Sequence, residues 1–154
     1  MRKKIQSKRK ITPDPVYNSV LVNKFINFVM KDGKKSFAKG AVYSLLTKLE
    51  EEHKKPGIEV FEEALDKARP TVVLKARRVG GSNFQVPMAV EKEKGVYIAM
   101  RWIIQTARNR KGAPIVEDLL KEVNDILAGQ GDVLKKKDDT HRMAEANRAF
   151  SHFR

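Results

Sequence analysis

Apolar residues recur three and four positions apart along most of the chain, and the points where this spacing lapses divide it into elements. Leu21, Val22, Phe25, Ile26 and Val29 predict a first helix, capped by Asn18 or Ser19 and running to about Lys31. Asp32-Gly33 ends it, because glycine tolerates the left-handed conformation of a C-cap. Ser36 then caps a longer helix with Phe37, Ala38, Ala41, Val42, Leu45, Leu46 and Leu49 on its apolar side, and Pro56-Gly57 breaks it. Ile58, Phe61, Leu65 and Ala68 carry a third helix whose opposite face is Glu62, Glu63 and Asp66.

The period changes after Pro70. Val72, Leu74 and Ala76 alternate with Val73, Lys75 and Arg77, and Phe84, Val86, Met88 and Val90 alternate with Gln85, Pro87 and Ala89. Period two on both sides of Gly80-Gly81-Ser82-Asn83 predicts a β-hairpin at about 71–90. A two-stranded ribbon is marginal alone and must rest on the helices or on a ligand. Helical spacing returns with Val96, Met100, Ile103 and Ala107, where Trp102 anchors a neighbour. Pro114 opens a fifth helix with Ile115, Leu119, Leu120, Val123, Ile126 and Leu127 buried, and Gly129 and Gly131 end it. A last helix is expected from about Asp139, with Met143, Ala146, Asn147 and Phe150 inward. The fold class is therefore mainly α: a six-helix single domain over 18–154, a protruding two-stranded hairpin, and an extended arm over 1–17. The arm, with Pro13, Asp14 and Pro15 and no apolar period, has nothing to bury.

Charge sharpens this outline. The 154 residues carry a formal net charge of +13. Residues 1–12 hold Arg2, Lys3, Lys4, Lys8, Arg9 and Lys10 with no acid, and residues 75–111 hold nine basic and two acidic side chains. The remaining segments sum to zero, so two basic stretches flank a neutral helical body, the electrostatic footprint of a polyanion binder. The absence of Cys excludes disulfides, thiolate chemistry and Cys-ligated zinc, and fits a reducing compartment. No apolar run is long enough to span a membrane, and the basic start leads into Pro13 rather than the apolar stretch of a secretory signal. A transit peptide is disfavoured by the same prolines.

Within the hairpin, Lys75, Arg77 and Arg78 crowd the strand that leads to the tip Val79, Gly80, Gly81, Ser82 and Asn83. Guanidinium groups bind phosphates bidentately and stack on bases, and three cations in four positions exceed what protection of a strand edge needs. Arg101, Gln105 and Arg108 share a helix face that Arg110 and Lys111 extend, suited to tracking a phosphate backbone. His141, Glu145, Arg148 and His152 form a polar stripe on the last helix, open between contact with RNA or protein and plain solvation. Two His with one carboxylate make poor metal geometry, so no metal or cofactor is assigned. His53 reads as a surface residue. Enzyme signatures fail in turn. Asp32-Gly33-Lys34-Lys35-Ser36 lacks the first glycine of a phosphate loop, and Glu50, Glu51 and Glu52 point around their helix instead of pairing.

Several blocks resemble one family. Asp14-Pro15-Val16-Tyr17-Asn18-Ser19, Lys24-Phe25-Ile26-Asn27, Met30 to Ser36, Arg77-Arg78-Val79-Gly80-Gly81 through Gln85-Val86-Pro87, and Thr140 to Phe150 together resemble bacterial small-subunit ribosomal protein seven, in order from start to end. Ala76 stands where the family often has Ser and Phe84 where Tyr is common, and residues 111–127 match only in amphipathic character. The resemblance implies a structural constituent of the small ribosomal subunit, without enzymatic activity. It implies a primary binder of small-subunit rRNA that organises the 3′ major (head) domain, near the exit-site tRNA and the mRNA exit path and beside small-subunit proteins nine and eleven. It places rRNA contact on Arg2, Lys3, Lys4, Lys8, Arg9, Lys10, Lys34, Lys35, Lys75, Arg77 and Arg78. The hairpin tip and the last helix, with His141, Arg142, Glu145, Arg148 and His152, would face tRNA and a neighbouring protein. The location implied is ribosome-bound in the cytoplasm, or in the plastid stroma for an organelle-encoded copy. The competing readings are a free nucleic-acid-binding regulator and an RNA-processing enzyme, the latter requiring a carboxylate cluster or His pair that the sequence does not offer.

Overall fold

The computed structural model describes residues 11–153; the basic residues Arg2, Lys3, Lys4, Lys8, Arg9 and Lys10 lie outside them. Six α-helices and one antiparallel hairpin follow in the order α1 (Val20–Val29), α2 (Lys35–His53), α3 (Gly57–Ala68), β1 (Val72–Val79), β2 (Ser82–Ala89), α4 (Lys92–Asn109), α5 (Ile115–Leu127) and α6 (Asp132–Ala146). A 3-10 helix over Arg148–Phe153 completes the described chain.

The apolar stripes meet where the spacing places them. Phe25 and Ile26 of α1, Leu45, Leu46 and Leu49 of α2, Phe61 and Leu65 of α3, Met100 and Ile103 of α4, and Leu119, Val123 and Ile126 of α5 form one buried cluster. Phe25 and Phe61 lie at its heart with ring centroids 4.7 Å apart. Ser19 caps α1, its hydroxyl accepting from the Val22 N–H at 3.4 Å. Lys54, in the left-handed region, ends α2. Gly57 then brings α3 against α2 so closely that a Cβ there would lie 2.1 Å from the Leu46 carbonyl oxygen.

Three parts differ from the sequence expectation. First, α6 begins at Asp132, not near Asp139. Gly131, at φ 102, turns the chain sharply out of α5, and Val133 is buried one residue into the new helix. The charge run over 135–139 hides this start, because the next buried anchor is Ala144. Met143 and Ala146, expected inward, are exposed. Second, α2 starts from Lys34 without a side-chain cap, so Ser36 lies inside the helix. Its Phe37, expected in the core, is 74 % exposed, while its neighbour Ala38 in the same turn is buried in the core cluster, so Phe37 lies off the packed face. Third, the segment before α1 is folded onto that body from Asp14 onward. The buried Asp14 carboxylate accepts from the Val16 and Tyr17 N–H groups at 3.0 and 3.2 Å and from the Tyr43 hydroxyl at 2.8 Å. Tyr17 packs edge-on against Tyr43 at 5.4 Å.

Burial pushes the Asp14 carboxyl up, but Tyr43 and the two N–H groups outweigh it and hold the group below the ordinary value. The Tyr43 hydroxyl is pushed up to about 12 by burial and by its bond to Asp14.

Candidate nucleic-acid interface

The hairpin is built by its turn. Gly80 and Gly81 take φ of 57° and 91°, the double left-handed geometry of a two-residue hairpin loop, and Val79 pairs with Ser82. The register sets Lys75 opposite Val86, Arg77 opposite Phe84 and Arg78 opposite Asn83. Directly opposed residues share a face, so Lys75 and Arg77 lie on one side of the ribbon and Arg78 on the other. Both faces near the tip are therefore cationic, and no Asp or Glu occurs between Asp66 and Glu91 to neutralise them. The ribbon is braced on the face of Lys75 and Arg77: Phe84 packs tilted against Phe150 at 5.1 Å and Val86 is buried, while at its base the His141 Nε2 accepts the Thr71 N–H at 3.2 Å. His141, Glu145 and Arg148 line a hollow with Thr71, Pro87 and Ala89. The polar stripe of the last helix thus holds the base of the ribbon, while Arg142 is exposed. Arg148 and His152, expected on the last helix, lie beyond α6 in the 3-10 turn, where the His152 Nδ1 is 2.8 Å from the Ala149 carbonyl.

A second basic surface lies on the helical body. Arg101, Gln105 and Arg108 of α4 line a shallow cleft with Phe28, as their helical spacing predicts. Arg108 also lines a second groove with Lys31, Lys34 and Phe37, and so borders both hollows. Its Nη2 donates to the Val29 carbonyl at 2.9 Å, which closes the C-terminus of α1 and holds the guanidinium at the groove. Gln105 accepts from Lys136 of α6 at 3.3 Å.

Arg110 departs from this surface. The chain leaves α4 after Asn109, and extended backbone at Arg110 swings its guanidinium onto Glu122 at 2.6 Å and Asp125 at 2.9 Å. Those bonds, Asp125 foremost, raise its pKa, so the group stays charged but is internally neutralised. Glu122 is fully buried; burial pushes its carboxyl up, against the pull of Arg110.

Ion pairs engage part of the basic side chains and leave the ribbon out. Lys67, Arg69, Lys92, Lys94, Arg110, Lys135 and Arg148 pair with carboxylates. Lys34, Lys35, Lys75, Arg77, Arg78, Arg101 and Lys111 are exposed and form no salt bridge among the described residues. Among those residues, no three His, Asp or Glu side chains come together where a metal could be held. No described helix is long and apolar enough to cross a membrane. Sequence reasoning missed two contributors: Lys31, which lines the groove, and the buried Asp14 that fixes the segment leading into α1.

A helical body carrying an acid-free ribbon and a cationic cleft is the build of an RNA-binding scaffold. Residues 1–148 match the family model of ribosomal protein S7p/S5e. The chain is 49 % identical to small ribosomal subunit protein uS7 of Thermosipho africanus over 154 residues, covering all of this chain and 99 % of that one. It is 48 % identical to the uS7 of Petrotoga mobilis over the same length, and 49 % identical to that of Chloroflexus aggregans over 152 residues, covering 97 % of the latter. The chain belongs to the ribosomal protein S7p/S5e family, whose members are structural, non-enzymatic components of the small ribosomal subunit.

Proposed function

We propose that this protein is a primary rRNA-binding protein that organises the 3′ major (head) domain of the small subunit, close to the exit-site tRNA and the mRNA exit path. Small-subunit proteins nine and eleven are its neighbours, and its setting is the cytoplasmic ribosome. The observation that carries this reading is the acid-free ribbon: Lys75, Arg77 and Arg78 lie exposed across its two faces with no salt bridge among the described residues, and no Asp or Glu occurs between Asp66 and Glu91. Unpaired cations held on a rigid frame suit phosphates at fixed spacing, with affinity from charge and register from shape. The ribbon cations Lys75, Arg77 and Arg78 and the body cations Lys34, Lys35, Arg101, Arg108 and Lys111 take RNA, the ribbon tip faces tRNA and mRNA, and Arg110 serves the fold.

Co-sedimentation with small subunits at high salt, followed by crosslink mapping, tests this. Retention in the subunit, with RNA crosslinks on the ribbon and on Lys34-Lys35, is the expected result. Release by the salt wash, or crosslinks confined to the acidic face of α3, contradicts it.

A further inference from the structure

Phe37 breaks the rule that governs the other large aromatic side chains of the described helices. Phe25 and Phe61 are buried, and Phe28, Tyr43, Tyr97 and Trp102 are half-buried against the core. Phe37 alone among these is exposed, at 74 %. It stands on the first turn of α2 and lines a groove of about 470 Å³ with Lys31, Lys34 and Arg108, whose single acid is Asp32. Val29, Ala38, Ala41 and Ile115 supply the apolar part of its wall. An exposed ring costs hydration without contributing to the core, and its surroundings select the chemistry of whatever covers it. An apolar protein side chain would gain nothing from three cations. A nucleotide meets both features, because every base offers a π-face to an aromatic ring and every phosphate a charge to Lys or Arg.

We infer that Phe37 is a stacking platform for one unpaired base of an RNA strand, whose flanking phosphates are held by Lys31, Lys34 and Arg108. This rests on the rRNA-binding reading above and adds to it a contact that charge does not supply. The base is read by its face, so the site tolerates any of the four bases but requires one that is out of a helix.

The test uses the full chain and a 3′-major-domain rRNA fragment in a filter-binding titration over a salt series. Phe37→Ala and Phe37→Leu should each weaken binding about 5- to 150-fold, the range to which stacking of 1–3 kcal/mol per base converts. Phe37→Trp should match or exceed the parent. The slope of log K against log salt should be the same in all four proteins, because the ring carries no charge. Melting should also be unchanged, since the ring is mostly outside the core. Parent-like affinity for Phe37→Leu would mean an apolar contact without stacking, and parent-like affinity for both truncations would place the ring away from RNA; either result overturns the inference while leaving the rRNA reading intact. Failure of the parent itself to bind the fragment would defeat both.

Discussion

Replacing Arg110 by Ala removes the cation bonded to Glu122, a carboxylate that has no access to water. Glu122 is 0 % exposed, and the Val133 N–H reaches it only at a long 3.4 Å. The second carboxylate, Asp125, has a side chain 44 % exposed and is solvated without the arginine, so that half of the interaction is worth about 0–1 kcal/mol. Breaking a buried pair from one side typically costs about 3–5 kcal/mol. Glu122 has an escape, however: it can take up a proton. Protonating a carboxyl of ordinary pKa near 4.3 at pH 7 costs about 3.7 kcal/mol, which caps the electrostatic loss. The expected destabilisation of Arg110→Ala is therefore about 3–4 kcal/mol at pH 7, read by urea or thermal unfolding.

The pH dependence identifies the cause. With Arg110 gone, the folded-state pKa of Glu122 rises further above its unfolded value, so the folded state binds the extra proton. Stability then falls as pH rises between the unfolded and folded values, and the gap to the parent narrows on acidification by up to about 1.4 kcal/mol per pH unit. Glu122→Gln, which keeps one acceptor for Arg110 and carries no charge, should cost only about 1 kcal/mol. A deficit for Arg110→Ala that does not change between pH 7 and pH 5, or a Glu122→Gln variant as unstable as Arg110→Ala, would refute the reasoning.

Other perturbations follow from the same packing. Asp14→Ala should cost about 1–3 kcal/mol, because the Tyr43 hydroxyl and the Val16 and Tyr17 N–H groups lose their acceptor together; equilibrium unfolding measures it. The Asp14 carboxyl sits below its ordinary pKa in the fold, so its contribution is complete above the unfolded value and is lost as pH falls through the folded one. The Asp14→Ala variant should accordingly lack that part of the acid-side loss in a pH titration of stability. Gly57→Ala places a Cβ against the rigid Leu46 carbonyl at 2.1 Å and should lower the melting temperature by more than about 5 °C, as a loss of about 2 kcal/mol does in a domain of this size.

Much of this architecture is legible in residue spacing. The helices α1 to α5 each repeat apolar residues every three or four positions, and the hairpin repeats them every two around Gly80-Gly81. What the spacing hides has physical reasons. In α6 only Val133 and Ala144 are buried, so the charged run between them shows no period. Phe37 keeps the helical phase of Ala41 and Leu45, yet Ala38 beside it takes the core position at this end of α2, and an apolar run does not tell which of two adjacent residues packs inward. Arg110 follows Arg101 and Arg108 in sequence, yet the helix stops at Asn109 and the face does not continue through an extended residue. A signal is present for its partner: Glu122 occupies a core position between Leu119, Val123 and Ile126, and a charge there calls for a buried counter-ion. The exposed cations of the ribbon, in contrast, can be read directly, because period two fixes which of Lys75, Arg77 and Arg78 share a face.

If the exposed cations of the ribbon bind rRNA phosphates, their removal must change how binding responds to salt. The direct measurement is the slope of log K against log salt for the 3′-major-domain rRNA fragment, comparing the parent with the triple variant Lys75→Ala, Arg77→Ala, Arg78→Ala. At about 0.7–0.9 per neutralised phosphate, removing all three cations should flatten the slope by about 2–3, with lower affinity and unchanged helical content. An equal slope and equal affinity for the two proteins would contradict the account.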